Sequence, residues 1–180
     1  SVISHGITGL ALANAFALKK LPLRFWLLSI ILPILPDADV IGFSFGIEYQ
    51  HLLGHRGLSH SLFFAVILAV ITVTCFFPQK RIFSIQWWGL TIYFSMITAS
   101  HGILDAMTTG GLGIAFFAPF DNTRYFLPWR LIQVAPIDIY SFLSEWGKRV
   151  LLSEFKWVWL PSGILLLIGS VIRKLRYTKV

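Results

Sequence analysis

Residues 54–61, with the sequence Gly-His-Arg-Gly-Leu-Ser-His-Ser, place two imidazoles and a guanidinium close together in the chain. The histidines are His55 and His60, and a long apolar run follows them directly. Imidazole nitrogen is a common zinc ligand, and guanidinium binds the oxygens of phosphate or carboxylate through paired hydrogen bonds. The segment therefore predicts part of a metal site. Arg56 would then either hold a substrate phosphate or form an ion pair with Asp39.

Other histidines and carboxylates supply the rest of the predicted donor set. His101 and Asp105 are four residues apart, so on a helix both side chains lie on one face. Asp37 and Asp39 alternate just after a proline, and in an extended turn their carboxylates would point the same way. A polar pair at a helix end, or a simple turn, is the plainer explanation of each feature taken alone. The predicted metal ligands are His5, Asp37, Asp39, His55, His60, His101 and Asp105.

The chemistry of these donors favours a divalent metal ion with nitrogen and oxygen ligands. Zinc fits best, and manganese or magnesium are the alternatives. The seven donors exceed the need of a single ion, which predicts either two ions or one ion beside a general base. The residues expected to take part in catalysis are Asp37, Asp39, Arg56 and Asp105.

The composition of the chain is that of a membrane protein. Of its 180 residues, 56% are hydrophobic and 13% are charged, whereas an average soluble domain has about 25% charged residues. The mean hydropathy is +0.75. A net charge of +7 would suggest nucleic-acid binding in a soluble protein, but here the basic residues stand in short clusters between apolar runs. We therefore expect these clusters to contact lipid headgroups and to set the membrane topology, with no nucleic-acid partner.

The apolar runs predict an all-α fold. A polar segment before the last run, residues 137–156, has the pattern of an interfacial amphipathic helix, and Ser59 is the expected N-cap of the third helix. The prediction is a polytopic membrane helical bundle of about five transmembrane or membrane-embedded helices plus the interfacial helix. Residues 1–180 would form a single membrane-embedded domain. The apolar runs are residues 3–18, 21–36, 58–77, 87–104 and 157–172.

Alternation of these helices across a bilayer would gather the polar residues on one side. The basic clusters follow the first and third helices and the last one, and by the positive-inside rule they mark the cytoplasmic side. The histidines and aspartates fall at the opposite ends of the helices. Ionisable residues in membrane segments are costly and usually functional, so a shared site near the extracytoplasmic face is predicted. The basic residues are Lys19, Lys20, Arg24, Lys80, Arg81, Arg173, Lys174, Arg176 and Lys179.

Three motifs carry a family resemblance: residues 36–39 (Pro-Asp-Ala-Asp), residues 54–61, and residues 100–105 (Ser-His-Gly-Ile-Leu-Asp). Together they resemble the signatures of the YdjM-like family of bacterial inner-membrane proteins, which are described as metal-dependent hydrolases. His5 also fits the family, whereas Val40 stands where members often have histidine. The order of the histidines and aspartates is similar, more distantly, to that of the zinc ligands in zinc-dependent phospholipase C and P1-type nucleases.

The resemblance implies a metal-dependent hydrolase in the bacterial inner membrane, and the more distant similarity implies a phosphoester substrate. In a membrane setting, the expectation is an enzyme that cleaves a phosphoester of a lipid at the extracytoplasmic face, like a phospholipase C or a lipid phosphatase. Its expected partners are membrane lipids and a lipid-like substrate. The residues expected to hold the headgroup of that substrate are Arg56, Arg124 and Arg130.

Two other classes of function fit the same residues. Inward-facing histidine and aspartate side chains can form a metal or proton pathway in a transporter, although their clustering at one end of the helices argues against this. A non-catalytic membrane protein with a purely structural metal is the other alternative. Bound metal without hydrolysis would separate both from an enzyme, and uptake of metal into vesicles would identify the transporter.

Overall fold

The computed structural model describes residues 1–17 and 20–177, with side chains described up to residue 175. Within these residues the regular structure is helical, no strand forms, and two isolated bridges, Thr108 with Ile132 and Ile114 with Tyr125, join loops. The helices are α1 (Val2–Phe16), α2 (Leu23–Ile31), a 3₁₀ helix (Leu35–Phe45), a short 3₁₀ turn (Leu58–His60), α3 (Leu62–Phe76), α4 (Ile85–Ala106), α5 (Ile139–Phe142), α6 (Glu145–Glu154), a π-helical turn (Phe155–Trp159) and α7 (Leu160–Tyr177).

Helix α1 lies at the centre of the fold, in contact with α2, α4 and α7, while α3 packs along α4. Small residues in these helices let the backbones approach closely. A Cβ atom on Gly9 would lie 2.0 Å from the carbonyl oxygen of Ser29 in α2. In α7, a Cβ atom on Gly169 would lie 2.7 Å from Nδ2 of Asn14. The central position of α1 places its first turn, which carries His5, against the end of α4.

The apolar core is built from the faces of α2, α3 and α4 that point toward one another. Phe25, Val73, Phe94 and Ile97 are fully buried there. The ring of Phe25 stacks on that of Tyr93, with 4.8 Å between centroids. Each buried aromatic side chain removes a large apolar area from water or lipid headgroups, which holds the helices in register. The core therefore fixes how α2 and α4 deliver their polar ends.

Each of the five predicted apolar runs forms a helix, but three details of the prediction were wrong. The two aspartates after Pro36, expected in an extended turn, lie instead in the 3₁₀ helix Leu35–Phe45. Helix α3 is capped by Ser61, whose Oγ accepts the N–H of Phe64, and the Oγ of Ser59 instead donates to Asp39. The expected amphipathic helix and the last span join through the π-helical turn into one helix, Glu145–Leu175.

By length and composition, one helix among the described residues, Glu145–Leu175, is long and apolar enough to cross a membrane. The bent pair Leu23–Ile31 and Leu35–Phe45, with 45° between its halves, adds a second if it forms one broken span. Helices α1 and α3 are apolar but have 15 residues each, fewer than the about 20 that a span needs. The predicted number of about five spans is therefore not confirmed. Among the basic residues predicted to face the cytoplasm, Lys19, Lys179 and the side chain of Arg176 lie outside the described part.

Candidate metal centre

Five separate elements bring the predicted donors to one end of the fold. The first turn of α1 provides His5, the 3₁₀ helix after α2 provides two aspartates, and the last turns of α4 provide His101 and Asp105. The loop before α3 and its short 3₁₀ turn provide His55 and His60. The spacing argument for α4 is confirmed, since both of its side chains face the same cluster. The predicted aspartate pair after Pro36 is Asp37 and Asp39.

Four of these residues offer ligand atoms within 4.8 Å of one another. Nε2 of His60 lies 2.9 Å from Nε2 of His101, and the latter is 3.4 Å from Oδ1 of Asp37. Oδ2 of Asp105 is 3.9 Å from His60 Nε2 and 4.0 Å from His101 Nε2. Two imidazole nitrogens and two carboxylates around one point form a donor set that zinc and similar divalent ions accept. These buried groups could hold a metal ion.

The protonation of His101 follows from its second ring nitrogen. Its Nδ1 lies 2.7 Å from the carbonyl oxygen of Pro33, and a carbonyl only accepts hydrogen bonds. Nδ1 therefore carries the proton, and Nε2 of the neutral ring presents a lone pair. His101 is completely buried, so this arrangement is held by the packing of α4 against the end of α2. Histidines that bind metals are usually oriented in this way, through a carbonyl or carboxylate behind them.

The same reasoning fixes the protonation of His60. Ser59 Oγ donates its only proton to Oδ2 of Asp39, at 2.5 Å, so it can only accept from His60 Nδ1, 2.9 Å away. Nδ1 of His60 therefore carries a proton. Its Nε2 faces the lone pair of His101 Nε2 and donates a hydrogen bond to it when both nitrogens of the His60 ring are protonated. When the His60 ring is neutral, two lone pairs lie 2.9 Å apart and repel unless a cation lies beside them. The residues present thus fit a bound metal ion.

Asp39 and His55 lie behind His60. Asp39 Oδ1 is 2.7 Å from Nδ1 of His55, and Oδ2 accepts from Ser59 and from the backbone N–H of Arg56 at 3.2 Å. Asp39, His55 and His60 form a second group of possible ligands, but it shares His60, whose Nδ1 proton is already committed to hydrogen bonds. Direct ligation by Asp39 and His55 stays a prediction. The hydrogen bonds favour one ion, with Asp39 orienting His60 toward it.

Replacing Asp39 by asparagine is expected to weaken metal binding about 10- to 100-fold without removing the site, the range typical of groups that orient a metal-binding histidine. The substitution removes the negative charge with which His55, His60 and Ser59 interact. Titration of the metal-free protein against a competing chelator measures the affinity. Asp121→Asn, in an exposed loop, is the matched control and should bind like the wild type. Loss of one ion from a two-ion wild type would instead make Asp39 a direct ligand.

His5 stands beside the four-residue group. Its Nε2 is 3.4 Å from Oδ1 of Asp105, and its ring stacks on that of His101 with 3.8 Å between centroids. The ring is buried, and its Nδ1 has no hydrogen-bond partner among the described residues. His5 is not part of either group of converging ligand atoms. Its contacts orient Asp105 and His101, and its role as a direct ligand stays a prediction.

Arg56 is buried and its guanidinium holds protein groups together. Nε lies 3.1 Å from Oδ2 of Asp105 and forms an ion pair with it, although the N–H is not aligned for a hydrogen bond. Nη1 donates to the Gly110 carbonyl at 2.8 Å, and Nη2 donates to Thr108 Oγ1 at 3.2 Å. Gly111 follows with φ of 85°, and a Cβ atom there would lie 2.5 Å from Nη1. The predicted ion pair of the Arg56 side chain with Asp39 was wrong, because Asp105 takes that position.

The other two predicted headgroup ligands also bind protein carbonyls. Arg124 donates to the carbonyl oxygens of His55 at 3.0 Å and Tyr49 at 3.1 Å, which fixes the loop that carries the site. Burial lowers the pKa of the Arg124 guanidinium and raises that of the Tyr49 hydroxyl. Arg130 is exposed, lies over the ring of Phe126 at 3.7 Å and donates to the carbonyl oxygen of Thr108. In the described structure neither arginine lies in the wall of the cavity beside the site.

A cavity of about 350 Å³ opens beside the candidate metal centre. Polar residues of the centre form one wall, namely His5, Asp37, His55, Arg56 and Asp105. The facing wall is mainly apolar and comes from the start of α1 and from residues 135–142, with the buried carboxylate of Glu154 in α6. A ligand in this cavity would contact the converging donors on one side and apolar side chains on the other.

Three contributors were missed by sequence reasoning. Ser59 sets the proton on His60, the carbonyl of Pro33 sets that on His101, and Glu154 is buried in the cavity wall, hydrogen-bonded to Ser1. Glu154 had a signal, because a carboxylate at the start of a long apolar helix is costly and usually has a role. The other two are tertiary contacts that residue spacing does not reveal.

Comparison with known proteins places these features among inner membrane proteins. A family model described as "YdjM inner membrane protein" matches residues 1–177. "Inner membrane protein YbcI" of Escherichia coli is 38% identical over 166 residues, which cover 92% of this chain and 94% of that protein. No solved structure matches significantly. The range matched by the family model includes all the residues of the candidate metal centre.

Proposed function

Since the chain belongs to the YdjM inner membrane protein family, we propose that it is a multi-pass protein of the bacterial inner membrane that hydrolyses a phosphoester of a lipid with a divalent metal ion. The observation that carries this proposal is the convergence of two imidazole nitrogens with Asp37 and Asp105, two carboxylates that line a cavity with an apolar wall. Carboxylates and a buried arginine complete the polar wall.

The residues that would hold the ion are Asp37, His60, His101 and Asp105. Two imidazoles and two carboxylates favour zinc, with manganese or magnesium as alternatives. A divalent ion at such a site lowers the pKa of bound water toward neutrality and offsets the charge of a phosphate. One of the two aspartates of this group would accept the proton of the attacking water, and Asp37 is the more exposed of the two carboxylates.

The chain's own residues would bind and orient the substrate. Arg56 lies in the cavity wall, and each of its Nη nitrogens has a second N–H beyond the one given to Thr108 or Gly110. These donors suit the oxygens of a phosphate. Val40, Ile139 and Phe142 line the same cavity and suit the apolar part of a lipid. Arg124 and Arg130 would act indirectly, by holding the loops around the site.

The proposal places α1 to α4 and α7 in the membrane, with the site at the extracytoplasmic end. Lys20 and Lys80 lie in connections, and Arg24 lies in the first turn of α2, all at the opposite ends of α1 to α4 from His5 and His60. By the positive-inside rule that end faces the cytoplasm. The short helices α1 and α3 would cross a locally thinned bilayer.

Hydrolysis of defined lipids by the purified protein tests this function. The wild type, loaded with zinc or manganese and mixed with phospholipids or polyprenyl phosphates, should release a phosphorylated headgroup or inorganic phosphate. The His101→Ala protein should release neither. A wild type that holds its metal but cleaves none of these lipids would contradict the proposal. In that case, accumulation of metal inside proteoliposomes would identify a transporter.

A further inference from the structure

The apolar wall of the cavity is formed by a short segment that faces both inward and outward. Residues 135–143 run from an extended stretch into the single turn α5, and most of them line the cavity opposite the candidate metal centre. Ile137, Ile139 and Phe142 contribute the apolar side chains on that inner face. We call residues 135–143 the lip.

The outer face of the lip is apolar and uncovered. Tyr140 is 85% exposed and Leu143 is 78% exposed, and neither lines the cavity. Ile139, at its edge, is 61% exposed. Neighbouring apolar side chains exposed in this way are typical of a surface that meets a membrane or another protein.

The lip is fixed beside the start of the membrane-crossing helix. The indole Nε1 of Trp146 in α6 donates to the carbonyl oxygen of Val134, at 3.0 Å. Gly147 lets the lip pack directly on α6, because a Cβ atom there would lie 1.7 Å from the Phe142 carbonyl oxygen. Helix α6 then continues without a break to Leu175 as the candidate membrane span. The lip therefore shares the depth of the polar beginning of that span.

Side chains around the lip are those of a membrane interface. The first turns of α6 carry the exposed basic residues Lys148 and Arg149, which suit lipid phosphates. Tyr140 and Trp146 are the aromatic types that concentrate at the level of the headgroups. Apolar residues among such groups insert shallowly, between headgroups and acyl chains. The occupant that fits this face is the lipid leaflet that surrounds the spanning helix.

We propose that the lip inserts Tyr140 and Leu143 into the interfacial layer of the membrane, so that the cavity opens into the leaflet. A lipid would then reach the candidate metal centre by sliding its headgroup under the lip, without leaving the membrane. The substrate class that follows is a membrane-resident lipid with a phosphorylated headgroup. Insertion of the lip is independent of hydrolysis, whereas the route of the substrate rests on the proposed function.

Fluorescence of labelled cysteines tests the insertion. The native cysteine is first removed by Cys75→Ser. An environment-sensitive dye is then attached to Tyr140→Cys or to Leu143→Cys, and each labelled protein is placed in liposomes whose lipids carry a nitroxide high on the acyl chain. Blue-shifted emission and strong quenching are expected at both positions. Glu145→Cys is the matched control, since the Glu145 side chain is 81% exposed and charged, and it should be quenched weakly. Water-like emission at positions 140 and 143, with quenching no stronger than at 145, would overturn the proposal.

A pair of substrates tests the route. The double variant Tyr140→Asp with Leu143→Asp should keep its metal content and lose turnover of long-chain lipid in vesicles by at least about tenfold, because the loss of even one apolar side-chain burial has an effect of that size. Turnover of a short-chain, water-soluble lipid should not change, and Tyr140→Phe should behave like the wild type on both. An equal loss on both substrates would contradict the route. If the wild type cleaves neither, the proposed function fails, and the quenching experiment alone decides whether the lip inserts.

Discussion

Replacing His101 by alanine is expected to abolish metal binding. His101 is completely buried, its Nδ1 proton is fixed by the carbonyl of Pro33, and its Nε2 is one of the two imidazole donors of the candidate centre. Without it, the four-donor site keeps only one imidazole nitrogen, a type of ligand that zinc commonly has in proteins. Elemental analysis of the purified variant beside the wild type measures the metal content per chain.

His51→Ala is the matched control for this experiment. His51 is also a histidine of the loop before α3, but it is exposed, and its Nδ1 accepts the backbone N–H of Leu53 outside the cluster. The control should keep the metal content of the wild type. Retention of metal by the His101→Ala protein at the wild-type level would rule out the ligand set.

Replacing Arg56 by alanine is expected to destabilise the metal-free protein by about 3–5 kcal/mol, the usual effect of removing one partner of a buried ion pair. The substitution leaves the Asp105 carboxylate buried without its arginine and frees the loop that Thr108 and Gly110 anchor. Thermal or denaturant unfolding in detergent measures the change. The protein must be stripped of metal first, because a bound cation would itself offset the charge of Asp105.

Two further variants separate charge from packing at this position. Arg56→Lys keeps a positive charge, but its single nitrogen cannot replace the three guanidinium nitrogens that contact Asp105, Thr108 and Gly110. Its stability should therefore fall between those of the wild type and Arg56→Ala. Arg130→Ala, which removes an exposed arginine over the ring of Phe126, should change the stability much less. If Arg56→Ala is as stable as the wild type, the ion pair does not organise the site.

The helices could be predicted from the sequence because apolar runs of this length have few alternatives. The runs at residues 3–18 and 87–104, for instance, appear as α1 and α4 with ends shifted by about two residues. The number of membrane spans could not be derived, since it depends on how each helix is embedded. The join of α6 to α7 was missed because the mixed charged segment that ends at Lys156 suggested a boundary there, although charged residues do not by themselves end a helix.

The sequence indicated which histidines and aspartates gather at the candidate site. It did not indicate which of them point toward a bound ion and which lie behind those. The four-residue spacing of His101 and Asp105 is enough to put both on one helix face. The ring nitrogen that each histidine turns toward the ion depends on the hydrogen bond of its other nitrogen. Ser59 makes that hydrogen bond for His60, and the backbone carbonyl of Pro33, far away in the sequence, makes it for His101. The partner of Arg56 was missed for the same reason, since the sequence suggested Asp39 and the fold brings Asp105 to the guanidinium instead.

The metal content of the wild-type protein is the most direct test of the central claim. Protein purified in detergent without chelators, and analysed for zinc, manganese and magnesium, should contain close to one divalent ion per chain, held between His60 and His101. Wild-type protein that contains no divalent metal, and takes none up when it is supplied, would contradict the claim.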